Sequence, residues 1–166
     1  LTPHNGHLSF FPQLFTTLIK LVFGLHSYWP YLALTFAAHL LVVHLLWRVM
    51  VRANVQPLIA LLAAVVFGVL APGAENTLWA FQVGFITPLA TGLAAFLIAA
   101  RPDIRTRDLV GICVLLLVGV GFAGTALPIT VAVLIFLAVR HGWRSALVPG
   151  MAFVVVYGAW YLAFNR

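Results

Sequence analysis

Residues 28–52 read YWPYLALTFAAHLLVVHLLWRVMVR. From Tyr28 to Trp47 no side chain carries a fixed charge, and Arg48 and Arg52 then close the run. A helix crosses the hydrocarbon core of a bilayer with about 20 predominantly apolar residues, so residues 29–47 are predicted to span. Tyr28, Trp29, Pro30 and Tyr31 form an aromatic set suited to one headgroup layer, and the arginines mark the other.

Composition extends this reading to the whole chain. Hydrophobic residues make up 64% and charged residues 7%, with a mean hydropathy of +1.12. A soluble surface is roughly a quarter to a third charged, so lipid is the solvent for most of this one. The net charge of +6 would suggest nucleic acid in a soluble domain. Here the arginines sit in short clusters at the ends of apolar runs, which is how membrane topology is encoded, and no nucleic-acid partner is expected. Cys113 is the only cysteine and lies in an apolar run, which leaves no disulfide framework and no thiolate metal site. The chain opens at Leu1 on a polar segment without a signal-peptide pattern, and is expected to be an internal piece of a larger polytopic protein.

Upstream of the first span, LTPHNGHLSFFP (1–12) is polar and then aromatic. QLFTTLIKLVFGL (13–25) follows, too short to span and interrupted by Lys20. Leu14, Leu18, Leu21 and Leu25 recur at helical spacing, which predicts an amphipathic helix lying in the membrane interface and ending at Gly24.

Downstream, an apolar run at 58–71 opens into the loop PGAENT, and Trp79 starts the next run, which reaches Ala100. Residues 109–139 are too long for one straight span and short for two; the run GFAGTALP near their middle points to a helical hairpin or a re-entrant turn. A last span is expected at 146–164. The predicted fold is thus all-α: a polytopic transmembrane helical bundle (29–166) preceded by a segment (1–28) bearing an N-terminal interfacial amphipathic helix.

Seven of the nine basic residues fall in three short loops, 48–57, 101–108 and 140–145. The positive-inside rule assigns these loops to the cytoplasm of a plasma (inner) membrane, and residues 1–28 and 72–78 to the opposite face. For the second and third loops to share a side, 109–139 must go out and return.

The candidate site lies on that opposite face. Glu75 is the only glutamate and the only acid outside a basic loop. A carboxylate at a membrane boundary can act as a general base or bind a cation or a sugar hydroxyl; it can equally be a solvated loop acid at a helix N-terminus. On a continuous helix Glu75, Trp79 and Gln82 would share a face, and with Asn76 they would make a sugar platform of indole, amide and acid. Trp79 as an interface anchor is the simpler alternative. His4 and His7 have H-x-x-H spacing, which admits a divalent metal without demanding one, since no carboxylate accompanies them. With Asn5 they are read as polar contacts to a phosphate or hydroxyl. His39 and His44 lie inside the first span, where helix-to-helix hydrogen bonding is the simplest role. Gly119-Val120-Gly121-Phe122-Ala123-Gly124 matches G-x-G-x-x-G but lacks a preceding soluble strand and a following acid, so it is read as close helix packing or a break in the span.

The order of these parts resembles the GT-C class of polytopic glycosyltransferases, which use polyprenyl-phosphate sugars, including the protein mannosyltransferases and lipid A aminoarabinose transferases. The resemblance covers roughly residues 4–100 and is carried by HNGHLSFFPQLF, FGLHSYWPYL, FAAHLLVVHLLWR and PGAENTLWAFQ. It implies an extracytoplasmic catalytic face, a polyprenyl-phosphate-linked sugar as partner alongside the bilayer, and transfer to an extracytoplasmic acceptor. In that class the catalytic aspartate precedes the interfacial helix, whereas no acid precedes Glu75 here; that aspartate is expected upstream of Leu1. The loop also departs from the His-Pro-x-His-x-Glu form of some relatives, keeping only Pro72 and Glu75. Glu75 is then the candidate catalytic residue, and His4, Asn5, His7, Asn76, Trp79 and Gln82 the candidate substrate contacts. Two rival readings are a transporter or flippase whose path is lined by His39, His44, Gln82 and a broken 119–128 segment, and a structural membrane subunit without a site. Donor sugar, acceptor and oligomeric state stay open.

Overall fold

A computed structural model of the chain describes residues 8–69 and 79–164. Among these, seven α-helices form an all-α bundle: α1 (Phe10–Phe23), α2 (Trp29–Arg52), α3 (Pro57–Val69), α4 (Val83–Ala99), α5 (Thr106–Phe122), α6 (Ala126–His141) and α7 (Trp143–Phe164), with a 3-10 turn, Ala80–Gln82, leading into α4. Three segments are long and apolar enough to cross a membrane: Trp29–Arg52, Ala80–Ala99 and Trp143–Phe164. The described part of α3 is 13 residues, about 20 Å at 1.5 Å per residue, against a hydrocarbon core of about 30 Å. The rest of the expected 58–71 segment lies outside the described residues.

Helix α4 is the centre of the bundle and packs on α2, α5 and α6. Its composition explains why. Gly84, Ala90, Gly92, Ala95 and Ala99 are all buried, and small residues let neighbouring backbones approach closely where no hydrophobic drive separates helix from lipid. Ala95 and Ala99 meet Ile112 and Leu116 of α5 and Val133 and Leu137 of α6, while Ile86 and Ala90 meet Val42 of α2. Helix α7 closes the far side against α5 and α6, and α3 rests on α2. There the buried ring of His39 donates from Nε2 to the Gly68 carbonyl at 3.1 Å and stacks on Phe67. His39 therefore makes a helix-to-helix bond.

The long apolar stretch resolves into a hairpin. Helix α5 ends at Phe122, Ala123 is extended, and α6 starts at Ala126. Both feet of the hairpin stand at the C-terminal end of α4. His141, in the last turn of α6, donates to the Ala99 carbonyl at 2.8 Å, and Arg101 pairs with Asp108 in the first turn of α5. Arg52, at the end of α2, donates from Nε and a terminal nitrogen to the Ala100 carbonyl at 3.3 and 3.0 Å. The last carbonyls of a helix have no partner in the helix itself and carry partial negative charge, so basic side chains converge on them. The three arginine loops thus meet at one end of the bundle.

Asp108 occupies the third helical position of α5, where its carboxylate accepts the Arg105 backbone N–H at 3.0 Å, the reach-back half of a capping box. That hydrogen bond, with the Arg101 and Arg107 charges, outweighs the opposing effect of burial and holds its pKa below the ordinary 3.8.

Candidate functional site

The opposite end of the bundle is built differently. Helix α1 lies across α5, α4 and α2. Phe11 and Phe15 stack on Phe122, with ring centroids 5.3 and 5.9 Å apart, and Gly121 makes room for the Phe11 ring: a Cβ there would stand 2.6 Å from it. Gly24, at φ +69°, stops the helix, and its carbonyl accepts the Tyr31 hydroxyl at 3.0 Å. Held in this way, α1 presents two outer faces. Leu14, Leu18 and Leu21 point outward, Leu21 with 76% of its surface exposed. Gln13, Thr16 and Thr17 recur at i, i+3 and i+4 and share a second face, which looks into a cavity.

That cavity has a volume of about 580 Å³ and lies under α1, between the start of α4 and the α5–α6 turn. Ser9, Gln13, Thr16 and Thr17 supply hydroxyl and amide groups on one wall, and Thr125 adds another from the turn. Phe81, Phe85 and Phe122 form the aromatic side. Gly84 is also in the wall. Pro88 lies four residues on inside α4 and has no N–H to give the Gly84 carbonyl. None of the lining side chains is charged. Lys20, one turn beyond Thr16 on the same face of α1, is the nearest cation along that helix. Neutral donors and acceptors beside phenyl faces suit a ligand with hydroxyl groups and an apolar side.

The placement of the expected site residues is mixed. His4, Asn5, His7, Glu75 and Asn76 lie outside the described residues. Trp79 and Gln82 are described, and the expected shared helical face is corrected: Trp79 is extended (φ −106°, ψ 107°) and only caps the short 3-10 turn. The reason is capture of the Ala80 backbone by α2. The Ala80 N–H donates to the Tyr28 hydroxyl at 2.8 Å, and the Thr35 hydroxyl donates to the Ala80 carbonyl at 3.0 Å. These bonds hold the entry of α4 away from an α-helical register. Trp79 instead packs on Phe81, which packs on Phe85. Gln82 is half-buried.

His39, His44 and Gln82 are not hydrogen-bonded to one another; His39 is committed to Gly68, and His44 is exposed on α2 beside Trp47. Among the described residues, no three His, Cys, Asp or Glu side chains gather as a metal site. The G-x-G-x-x-G run is a packing surface. Gly119 faces Thr91 and Ala126, and Gly121 faces Phe11. Sequence reasoning missed Gln13, Thr16, Thr17, Phe81 and Phe85; the polar spacing on α1 was the available signal.

Comparison with protein-family models, with curated proteins and with solved structures finds no match. The class that stands on the fold alone is an all-α, multi-pass membrane protein.

Proposed function

We propose that the chain is part of a glycosyltransferase that moves a sugar from a polyprenyl-phosphate donor to an acceptor on the extracytoplasmic side. The observation that carries this reading is the uncharged cavity of about 580 Å³ beneath α1, with hydroxyl and amide groups facing phenyl rings at the end of the bundle away from the arginine loops. Sugars are recognised by this pairing, in which hydroxyls find neutral hydrogen-bond partners and the apolar ring face finds an aromatic one. The exposed leucine face of α1 and the exposed Phe85 border lipid, where a polyprenyl chain would run. Its phosphate calls for a positive or donor-rich partner, for which Lys20 or the histidines are the local choices.

In the transfer, the acceptor oxygen attacks the anomeric carbon and the carbon–oxygen bond to phosphate breaks. Polyprenyl phosphate leaves with that electron pair, and a carboxylate base takes the acceptor proton. Asp103 and Asp108 both stand in the arginine loops, so the base is not among the described residues. Glu75 is assigned to orient donor or acceptor.

The test is sugar transfer from polyprenyl-phosphate donors in membranes carrying the protein. Glu75→Gln is expected to abolish turnover. Thr16→Val and Gln13→Leu are each expected to raise KM roughly threefold to tenfold, as for a lost hydrogen bond of about 0.5–1.5 kcal/mol. Absence of transfer with every donor tried, from folded wild-type protein, would overturn the reading.

A further inference from the structure

A second cleft, of about 390 Å³, opens at the arginine end of the bundle. Helices α2 and α6 both pack on α4, and the cleft lies between their ends, over the last turn of α4 and Pro102. Its floor and walls are Phe96, Leu97 and Phe136, with the two rings 4.3 Å apart. Arg52 and Arg140 stand at its mouth and are exposed.

The charge at this mouth is not neutralised within the described residues. Arg52 is held in place by the Ala100 carbonyl, an uncharged partner that leaves the rest of its guanidinium free. Arg140 makes no hydrogen bond or ion pair to a described residue. Of the acids at this end, Asp108 is committed to Arg101, and Asp103 pairs with neither arginine.

We infer that this cleft binds the headgroup of an anionic phospholipid. Two guanidinium groups at the membrane boundary match a phosphodiester, because each presents several N–H donors in a planar fork. The apolar walls continue the surface that faces hydrocarbon, so the first methylenes of the acyl chains settle on Phe96, Leu97 and Phe136 while the phosphate stays at the mouth. Basic pockets between spanning helices on the arginine-rich side recognise lipid in this manner. A soluble phosphate would use the arginines but leave the apolar walls empty. The inference is independent of the sugar-transfer reading, since the two cavities are at opposite ends of the bundle.

Native mass spectrometry of the protein released from micelles tests the inference, with phosphatidylglycerol, phosphatidylcholine and sn-glycerol 3-phosphate as probes. Phosphatidylglycerol is expected to remain bound, phosphatidylcholine to be lost, and glycerol 3-phosphate to bind at least tenfold more weakly than the lipid. Arg140→Gln should weaken phosphatidylglycerol binding about fivefold to tenfold. Leu97→Trp, which fills the cleft without changing charge, should weaken it comparably. Arg144→Gln, at the same end but outside the cleft, should stay within twofold of wild type. Equal losses in Arg140→Gln and Arg144→Gln would mean diffuse surface charge and overturn the site, as would unchanged binding in Leu97→Trp. Equal affinity for phosphatidylcholine, or for glycerol 3-phosphate, would overturn the assignment to anionic lipid.

Discussion

Replacing Gly121 by alanine adds one methyl group at the point where α1 is seated on the bundle. The new Cβ would stand 2.6 Å from both Cδ2 and Cε2 of Phe11. Ordinary contact begins at 3.4 Å, so the ring must retreat by about 0.8 Å, an overpacking that costs about 1–3 kcal/mol. The ring is stacked on Phe122 and edged by Phe10, which leaves it little room to rotate aside. Alanine's better helix propensity, about 0.8–1 kcal/mol, accrues to α5, which stays folded when α1 lifts, so it does not offset this local cost. Gly158→Ala isolates the propensity gain, because nothing lies within 4 Å of its added Cβ. The readout is amide hydrogen exchange of α1 in a lipid environment, which reports local opening. Exchange over residues 10–23 should accelerate at least about fivefold relative to Gly158→Ala, as for a local loss of about 1 kcal/mol or more. Phe11→Leu in the same chain should remove much of the added strain. If α1 exchanges no faster in Gly121→Ala than in Gly158→Ala, Phe11 does not occupy that notch and does not seat α1 over the cavity.

At Gly92 an added Cβ would stand 2.1 Å from Cγ2 of Ile129, so Gly92→Ala should lower the unfolding midpoint in detergent. Ile129→Ala should relieve it and Ile129→Val, which keeps Cγ2, should not; a double-mutant cycle with Ile129→Ala should show coupling of about 1–2 kcal/mol, and additivity within about 0.5 kcal/mol would refute the contact. Because the folded pKa of Asp108 is depressed, its contribution is fully present above the ordinary carboxylate value of 3.8 and is lost as pH falls below it through the folded value. Asp108→Asn should therefore be less stable than wild type at neutral pH, with the gap closing on acidification; a gap independent of pH would contradict the ion pair.

Much of the architecture is legible in residue order because lipid imposes so few options. An uncharged run closed by arginines has to be a helix, and the arginine clusters have to share a side. Arg52 and His141 both bind the end of α4, through the Ala100 and Ala99 carbonyls, and GFAGTALP breaks the chain into two helices. The amphipathic α1 is visible in Leu14, Leu18 and Leu21, but its polar stripe is the face that lines the cavity. What residue order could not reveal was long-range capture. Tyr28 and Thr35 bind the backbone of Ala80 from more than forty residues away in sequence, and this turns Trp79 out of the helix that periodicity predicts. The cavity is hidden for the same reason. Its threonines and phenylalanines are ordinary residues in three separate stretches, and only the seating of Phe11 against Gly121 and Phe122 brings them to one volume.

The α5–α6 hairpin bears on how the protein enters its membrane. Each arm is 17 or 16 residues long, below the roughly 20 that let a lone helix partition and stay. Their feet carry Arg105, Arg107 and Asp108 on one side and Arg140 and His141 on the other, while the turn at Ala123–Thr125 carries no charge. Insertion of the two arms together would move only that neutral turn across a bilayer and keep the charged feet on one side. The pair is therefore the natural unit of integration, and a charged residue placed at Gly124 should stall both arms at once.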